Sequence, residues 1–144
     1  HPVKAKASLS NAMDVGDPSN FIRVMALFHE AFEPLKKMMS SVSISDEETG
    51  AAIQTLFREY GYVADPHGAV GWLALDRWLK DHPRQAGFFL ETAHPVKFPD
   101  TVQQFTGRPV AIPDSIQALF TKKKNSVTME ADYNVFRTLL LLKP

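Results

Sequence analysis

The chain has 144 residues, enough for one domain that hides roughly two-thirds of its unfolded surface. Its 16 Lys plus Arg balance 16 Asp plus Glu, which argues against nucleic acid or an anionic membrane surface, partners usually met by a basic excess. With 44% hydrophobic residues and 10 Phe it is too apolar for a disordered tail, and with no Cys it can hold no disulfide, thiolate zinc site or cysteine nucleophile.

Asp17-Pro18-Ser19-Asn20 predicts a helix start, with Asp17 capping and Pro18 in the first helical position. Phe21, Met25, Phe28, Phe32, Leu35 and Met39 follow at alternating spacings of four and three, a stripe expected to face a core. Pro34 interrupts that stripe and predicts a kink or break near Glu33. Ser45-Asp46-Glu47-Glu48 has the spacing of a capping box. It predicts a second helix to Tyr60 that buries Ile53, Leu56, Phe57 and Tyr60 and stops at Gly61. Asp65-Pro66 opens a third, in which Val70, Leu73, Ala74, Trp78 and Leu79 keep helical spacing to about Lys80 before His82-Pro83 ends it.

Residues 87–93, Gly-Phe-Phe-Leu-Glu-Thr-Ala, form a short apolar run between Gly87 and His94-Pro95 and read as a buried strand. Phe98-Pro99-Asp100 opens a short helix ending before Gly107, and Pro113-Asp114 opens another through Leu119 and Phe120. Lys122-Lys123-Lys124-Asn125 reads as a solvated turn, and Asp132 caps a last helix with Val135, Phe136, Leu139 and Leu140 inward. The fold class is therefore predominantly α with one or two short strands. A lone buried strand cannot satisfy its own backbone, so its partners are expected in an upstream segment, and the abrupt opening at His1 agrees. No apolar run approaches the roughly 18 residues that span a bilayer, and a soluble cytoplasmic protein is expected.

Three clusters could carry chemistry. Residues 65–71, Asp-Pro-His-Gly-Ala-Val-Gly, place a carboxylate, an imidazole and two glycines at one helix start, whose amides either meet an anion or cofactor edge or serve a plain cap. Thr92-Ala93-His94-Pro95 ends the strand, where ligands bind in open α/β sheets. A Thr hydroxyl there can meet a ring nitrogen without full charge, and the plainer alternative is strand and turn residues. Ser10-Asn11-Ala12-Met13-Asp14, with Asn20 and Arg23 three apart before and on a helix, suits a phosphate that takes several donors and a positive charge; a well-capped helix with an exposed Arg explains the same pattern. A metal site gathering Asp65, His67, His94 and Asp100 lacks any tight ligand spacing.

At these clusters the chain resembles the threonine synthase family of fold-type II pyridoxal-phosphate enzymes. The resemblance lies in residues 10–14 with Pro18-Ser19-Asn20-Phe21, in residues 61–71, Gly-Tyr-Val-Ala-Asp-Pro-His-Gly-Ala-Val-Gly, and in residues 91–99, Glu-Thr-Ala-His-Pro-Val-Lys-Phe-Pro, in that order. It is similar to the longer bacterial and fungal branch and covers that family's C-terminal third, so the resemblance implies that residues 1–144 are a single C-terminal segment of a larger α/β enzyme. It implies pyridoxal 5'-phosphate as cofactor, acting as an electron sink while O-phospho-L-homoserine and water become L-threonine and phosphate.

Carried onto this chain, Thr92 looks like the hydroxyl facing the pyridine nitrogen, with Ala93 and His94 beside it, and Ser10, Asn20 and Arg23 look like the substrate side of the cleft. Residues 65–71 would shape the wall of the cofactor cleft. No segment resembles the family's cofactor-bearing lysine or its glycine-rich phosphate loop. Neither Lys97 nor Lys36 stands in for that lysine, so these residues alone are expected to be inactive. The competing expectations are a self-contained helical module that binds a partner through the Phe/Met stripe, another fold-type II lyase, and a small metal hydrolase using His67 and His94.

Overall fold

A computed structural model of the chain describes residues 3–10 and 14–142, in two compact units, His1–Ala111 and Ile112–Pro144. The first contains α1 (Phe21–Leu27), α2 (Phe32–Met38), α3 (Asp46–Tyr60), α4 (Pro66–Asp81), a 3-10 turn at Pro95–Lys97 and α5 (Pro99–Thr106). The second contains α6 (Asp114–Gln117) and α7 (Tyr133–Leu141). No helix among the described residues is long and apolar enough to cross a membrane.

The core of the first unit lies where α3 meets α4 and α5. Ala52, Ile53 and Leu56 of α3 cluster with Ala64 and with Ala69 of α4, and Trp72, Leu73 and Phe105 pack partly buried against them. Val102 and Phe98 are buried as well. Removing Ile53 and Val102 wholly from water contributes about 1.5–3 kcal/mol each.

Both predicted ends of α3 are present. The Ser45 hydroxyl accepts from the Glu48 amide at 3.2 Å, while the Glu48 carboxylate accepts from the Ser45 amide at 2.7 Å. Gly61 takes the left-handed conformation at φ 65°. Its N–H reaches the Phe57 carbonyl and the Tyr62 N–H the Leu56 carbonyl, satisfying the last turn. Asp65 caps α4 with Pro66 in the first turn, Asp132 caps α7, and Gly107 ends α5 at φ 70°. The Arg77 guanidinium of α4 donates to Glu48, joining α4 to the start of α3.

The first helix departs from expectation. It starts at Phe21, because the Phe21 and Arg23 amides bond the Pro18 and Asn20 carbonyls in successive turns and need nothing from Asp17. The break falls at residues 28–31, where His29 and Glu30 have φ of 50° and 58°, earlier than Glu33. Pro34 is thereby the third residue of α2, among the first-turn positions whose N–H has no helical partner to lose.

That left-handed pair also changes the apolar stripe. Two seven-residue helices joined by it no longer share one helical phase, and Phe21, Phe32 and Met39 are exposed. The stripe is not core. Tyr60, expected inside, is also exposed and rests edge-on against Trp72, their ring centres 6.3 Å apart. In the second unit α6 stops at Gln117, and i to i+3 bonds carry the chain on through Leu119 and Phe120 as turn. Val135, Phe136 and Leu140 of α7 are exposed, since a helix buries a stripe only against a second layer.

No strand occurs among the described residues. Residues 86–93 make no backbone-to-backbone hydrogen bond among them, and a strand exists only as part of a ladder. The run is not buried either: Phe88 is 83% and Leu90 70% exposed.

Candidate functional site

The site is built on the start of α4. Asp65 is fully buried, and its Oδ1 accepts from the amides of His67 at 2.5 Å and Gly68 at 3.0 Å. Those amides, one candidate for meeting an anion, are thus already bonded by the cap. His67 Nδ1 lies 3.3 Å from the same oxygen, and its ring meets Phe98 edge-on at 5.2 Å. Asp65 Oδ2 and His67 Nδ1 are buried without a hydrogen-bond partner.

Residues 87–91 run along α4 with a two-residue period. A Cβ on Gly87 would meet Leu75 Cδ1 at 2.5 Å, one on Gly71 would meet Phe89 Cβ at 3.5 Å, and one on Gly68 would meet Glu91 Oε2 at 2.1 Å. Every second residue of the segment therefore faces positions 75, 71 and 68, one stripe of the helix read backwards. Phe88 and Leu90 fall on the alternate positions, and Thr92, which shares their parity, is exposed.

Glu91 is held from two sides. The Tyr62 hydroxyl donates to Glu91 Oε2 at 3.0 Å, and the Asp65 carboxylate lies beside it. Partial burial and then the negative charge of Asp65 push the Glu91 carboxyl above the ordinary range, against the Tyr62 hydrogen bond. Burial, then Glu91, pushes the Tyr62 hydroxyl up as well. The sequence pattern gives Glu91 and Tyr62 no role; the usable signal is the glycine at position 68, whose missing side chain makes the room.

Beyond Glu91 the chain is fixed again at His94, whose Nδ1 accepts from the Val96 amide at 3.1 Å and starts the turn at Pro95–Lys97. That turn delivers Phe98 to the core and begins α5. Thr92 and Ala93 are strung between two anchors, and the Thr92 hydroxyl makes no hydrogen bond among the described residues.

The third cluster is organised separately. The Leu9 amide donates to Asp46 Oδ1 at 3.0 Å, pinning this segment to the first turn of α3. Ser8 donates to Asp14 Oδ1 at 2.7 Å, and its Oγ lies 3.2 Å from that of half-buried Ser10. Asn11, Ala12 and Met13 lie outside the described residues. Asn20 and Arg23 are exposed at and on α1, and among the described residues no hydrogen bond joins them to Ser10 or to residues 92–94. No group of three His, Asp or Glu suited to a metal occurs among the described residues.

A family model described as threonine synthase, C-terminal, matches residues 68–140, about half of the chain. The chain belongs to the threonine synthase family. It is 34% identical over 143 residues to the threonine synthase of Buchnera aphidicola subsp. Acyrthosiphon pisum, covering 99% of this chain and 32% of that protein. The crystal structure of Escherichia coli threonine synthase superposes with a TM-score of 0.72 at 32% identity, over 98% of this chain and 32% of that one. The PLP-bound threonine synthase of Brucella melitensis shares the fold, with a TM-score of 0.62 at 21% identity, over 97% of this chain and 35% of that one. The chain spans about a third of the length of the relatives it matches.

One donor suited to a cofactor ring is available on this segment. A pyridine nitrogen that is to stay neutral asks for a single uncharged donor, and the exposed Thr92 hydroxyl, on a segment anchored at both ends, is that kind of group. Among the described residues every lysine is exposed, Lys36 and Lys97 included, and the Lys36 ammonium lies 6.0 Å above the Phe32 ring.

Proposed function

We propose that this chain is the C-terminal segment of a cytoplasmic threonine synthase that converts O-phospho-L-homoserine and water to L-threonine and phosphate. Its partner is the upstream segment of the same enzyme, which brings the cofactor-bearing lysine and the phosphate-binding loop; residues 1–144 by themselves turn over no substrate. Pyridoxal phosphate, when bound, supplies an electron sink for carbanion charge during loss of phosphate and addition of water.

In this reading Thr92 donates a hydrogen bond to the pyridine nitrogen and leaves it uncharged. Ala93 keeps the backbone close to the ring with little bulk, and His94 fixes the turn that carries both. Arg23 and Asn20 offer charge and donors to the phosphate of the substrate, and Ser10, positioned by Ser8 and by the Leu9 bond to Asp46, offers a hydroxyl. The observation that carries the reading is the exposed Thr92 hydroxyl held between the Glu91 and His94 anchors, in a chain of this family.

The test uses the full-length enzyme and phosphate release from O-phospho-L-homoserine. Thr92→Val should lower kcat about tenfold or more while Thr92→Ser keeps most of it, and Arg23→Ala should act mainly on KM. Wild-type kinetics in Thr92→Val would overturn the assignment.

A further inference from the structure

We propose that Asp65 and Glu91 form a carboxyl pair sharing one proton, and that this pair is the positioning device that holds residues 87–93 on α4 and so sets where Thr92 presents its hydroxyl. The proposal rests on the reading of Thr92 as the ring contact, and it adds how the Glu91 anchor beside that contact is held.

Asp65 spends one oxygen on two amides of the α4 cap, which fixes its position. Its other oxygen is sealed from solvent and unpartnered. Such an atom calls for a donor, and none of the hydrogen bonds or ion pairs of the described residues supplies one from Lys, Arg or an amide. Gly68, by lacking a side chain, admits the Glu91 carboxyl against the α4 cap, at the residue whose amide donates to Asp65 Oδ1. A proton on Glu91 turns it from a second acceptor into the missing donor, while Tyr62 donates to Glu91 Oε2.

The charged and titratable groups facing Glu91 are Tyr62 from the link after α3, Asp65 from the start of α4 and, beyond Asp65, His67. Two negative charges in this place repel, and the raised Glu91 carboxyl agrees with the shared proton. Glu91 keeps enough exposure to exchange that proton with solvent. As pH rises through the raised value the proton leaves Glu91, the donor disappears and the segment loosens; below that value Glu91 carries its proton. Thr92 is the next residue along, so a loosened Glu91 frees the hydroxyl.

The full-length holoenzyme tests this with amide hydrogen exchange of residues 87–93 and the absorption spectrum of the bound cofactor. Glu91→Gln, neutral and able to donate, should keep wild-type protection within about twofold at low pH and show none of the decline that wild type shows as pH rises above the ordinary carboxylate range. Glu91→Ala should lose about tenfold or more of that protection throughout, and its cofactor spectrum should move as that of Thr92→Val does. Wild-type protection in Glu91→Ala, or a Glu91→Gln as labile as Glu91→Ala, overturns the pair. If Glu91→Ala does not fold, the pH series of wild type against Glu91→Gln decides alone, and equal slopes overturn the proposal. A spectrum indifferent to Thr92→Val sinks the ring contact instead, whatever the exchange data say of the carboxyls.

Discussion

Gly68 and Glu91 share one space: a Cβ on the glycine would lie 2.1 Å from Glu91 Oε2, so the carboxyl occupies the volume that the missing side chain leaves. Gly68→Ala brings about 1 kcal/mol of helix propensity and meets the end of a flexible side chain, not backbone. The folded protein should therefore change in stability by less than about 1 kcal/mol, while Glu91 is expelled from Tyr62 and Asp65 and residues 87–93 exchange faster. In a Glu91→Ala background the same substitution should stabilise by about 1 kcal/mol in denaturant melts. A loss there would mean that something other than the carboxyl fills the space.

Gly50 sets a harder limit. A Cβ there would meet the Phe105 ring at 2.3 Å, and that ring packs against the core cluster where α3 crosses α5. Ring displacement outweighs the gain in helix propensity, so Gly50→Ala should destabilise by about 1–2 kcal/mol net. Shortening the partner, as in Gly50→Ala with Phe105→Leu, should recover part of the loss in a double-mutant cycle. Additive losses would place the strain elsewhere.

The helices that sequence pattern located are those whose ends are written locally. Ser45 with Glu48, Gly61, Asp65-Pro66, Gly107 and Asp132 each determine an end through the side chain or φ at one position, and all stand where the pattern puts them. Burial was legible only where a second layer is present, as for Ile53 and Leu56. The same apolar spacing at Phe21, Phe32, Val135 and Phe136 gave exposed faces, because spacing states which residues could be buried together and not what covers them. The segment at 87–93 failed as a strand for a related reason, since a ladder belongs to two segments at once. Of the candidate site, Thr92 and His94 could be singled out from their place after an apolar run and, for His94, before a proline. The Glu91 role was not, because it depends on a contact between residues 23 positions apart, reported in space by a glycine.

Gly61 offers strain without a clash, since nothing lies within 4 Å of a Cβ built there at φ 65°. Gly61→Ala should cost about 1 kcal/mol through conformation alone, and Gly61→Asn, which tolerates the left-handed region better, should cost less. Thermal melts of the two variants decide it; equal penalties would point to lost solvation or packing and not to φ.

Glu48 gives a pH dependence of opposite sign to that of Glu91. Its carboxyl is lowered from 4.5 to about 2, first by the Ser45 amide, then by the Arg77 guanidinium and the Ser45 hydroxyl. A carboxyl lower in the folded state stabilises above its ordinary range and loses that contribution as pH falls, here between about 4.5 and about 2. The first turn of α3 should therefore open in this acid window, seen as faster amide exchange after correction for intrinsic rates, and Glu48→Gln should abolish the dependence there. Because the Ser45 amide contributes most, Arg77→Met should raise the Glu48 midpoint yet leave it below the ordinary value in a carboxyl NMR titration. A Glu48 midpoint at the ordinary carboxylate value in Arg77→Met would assign the whole effect to the guanidinium and reduce the capping box to a geometric coincidence.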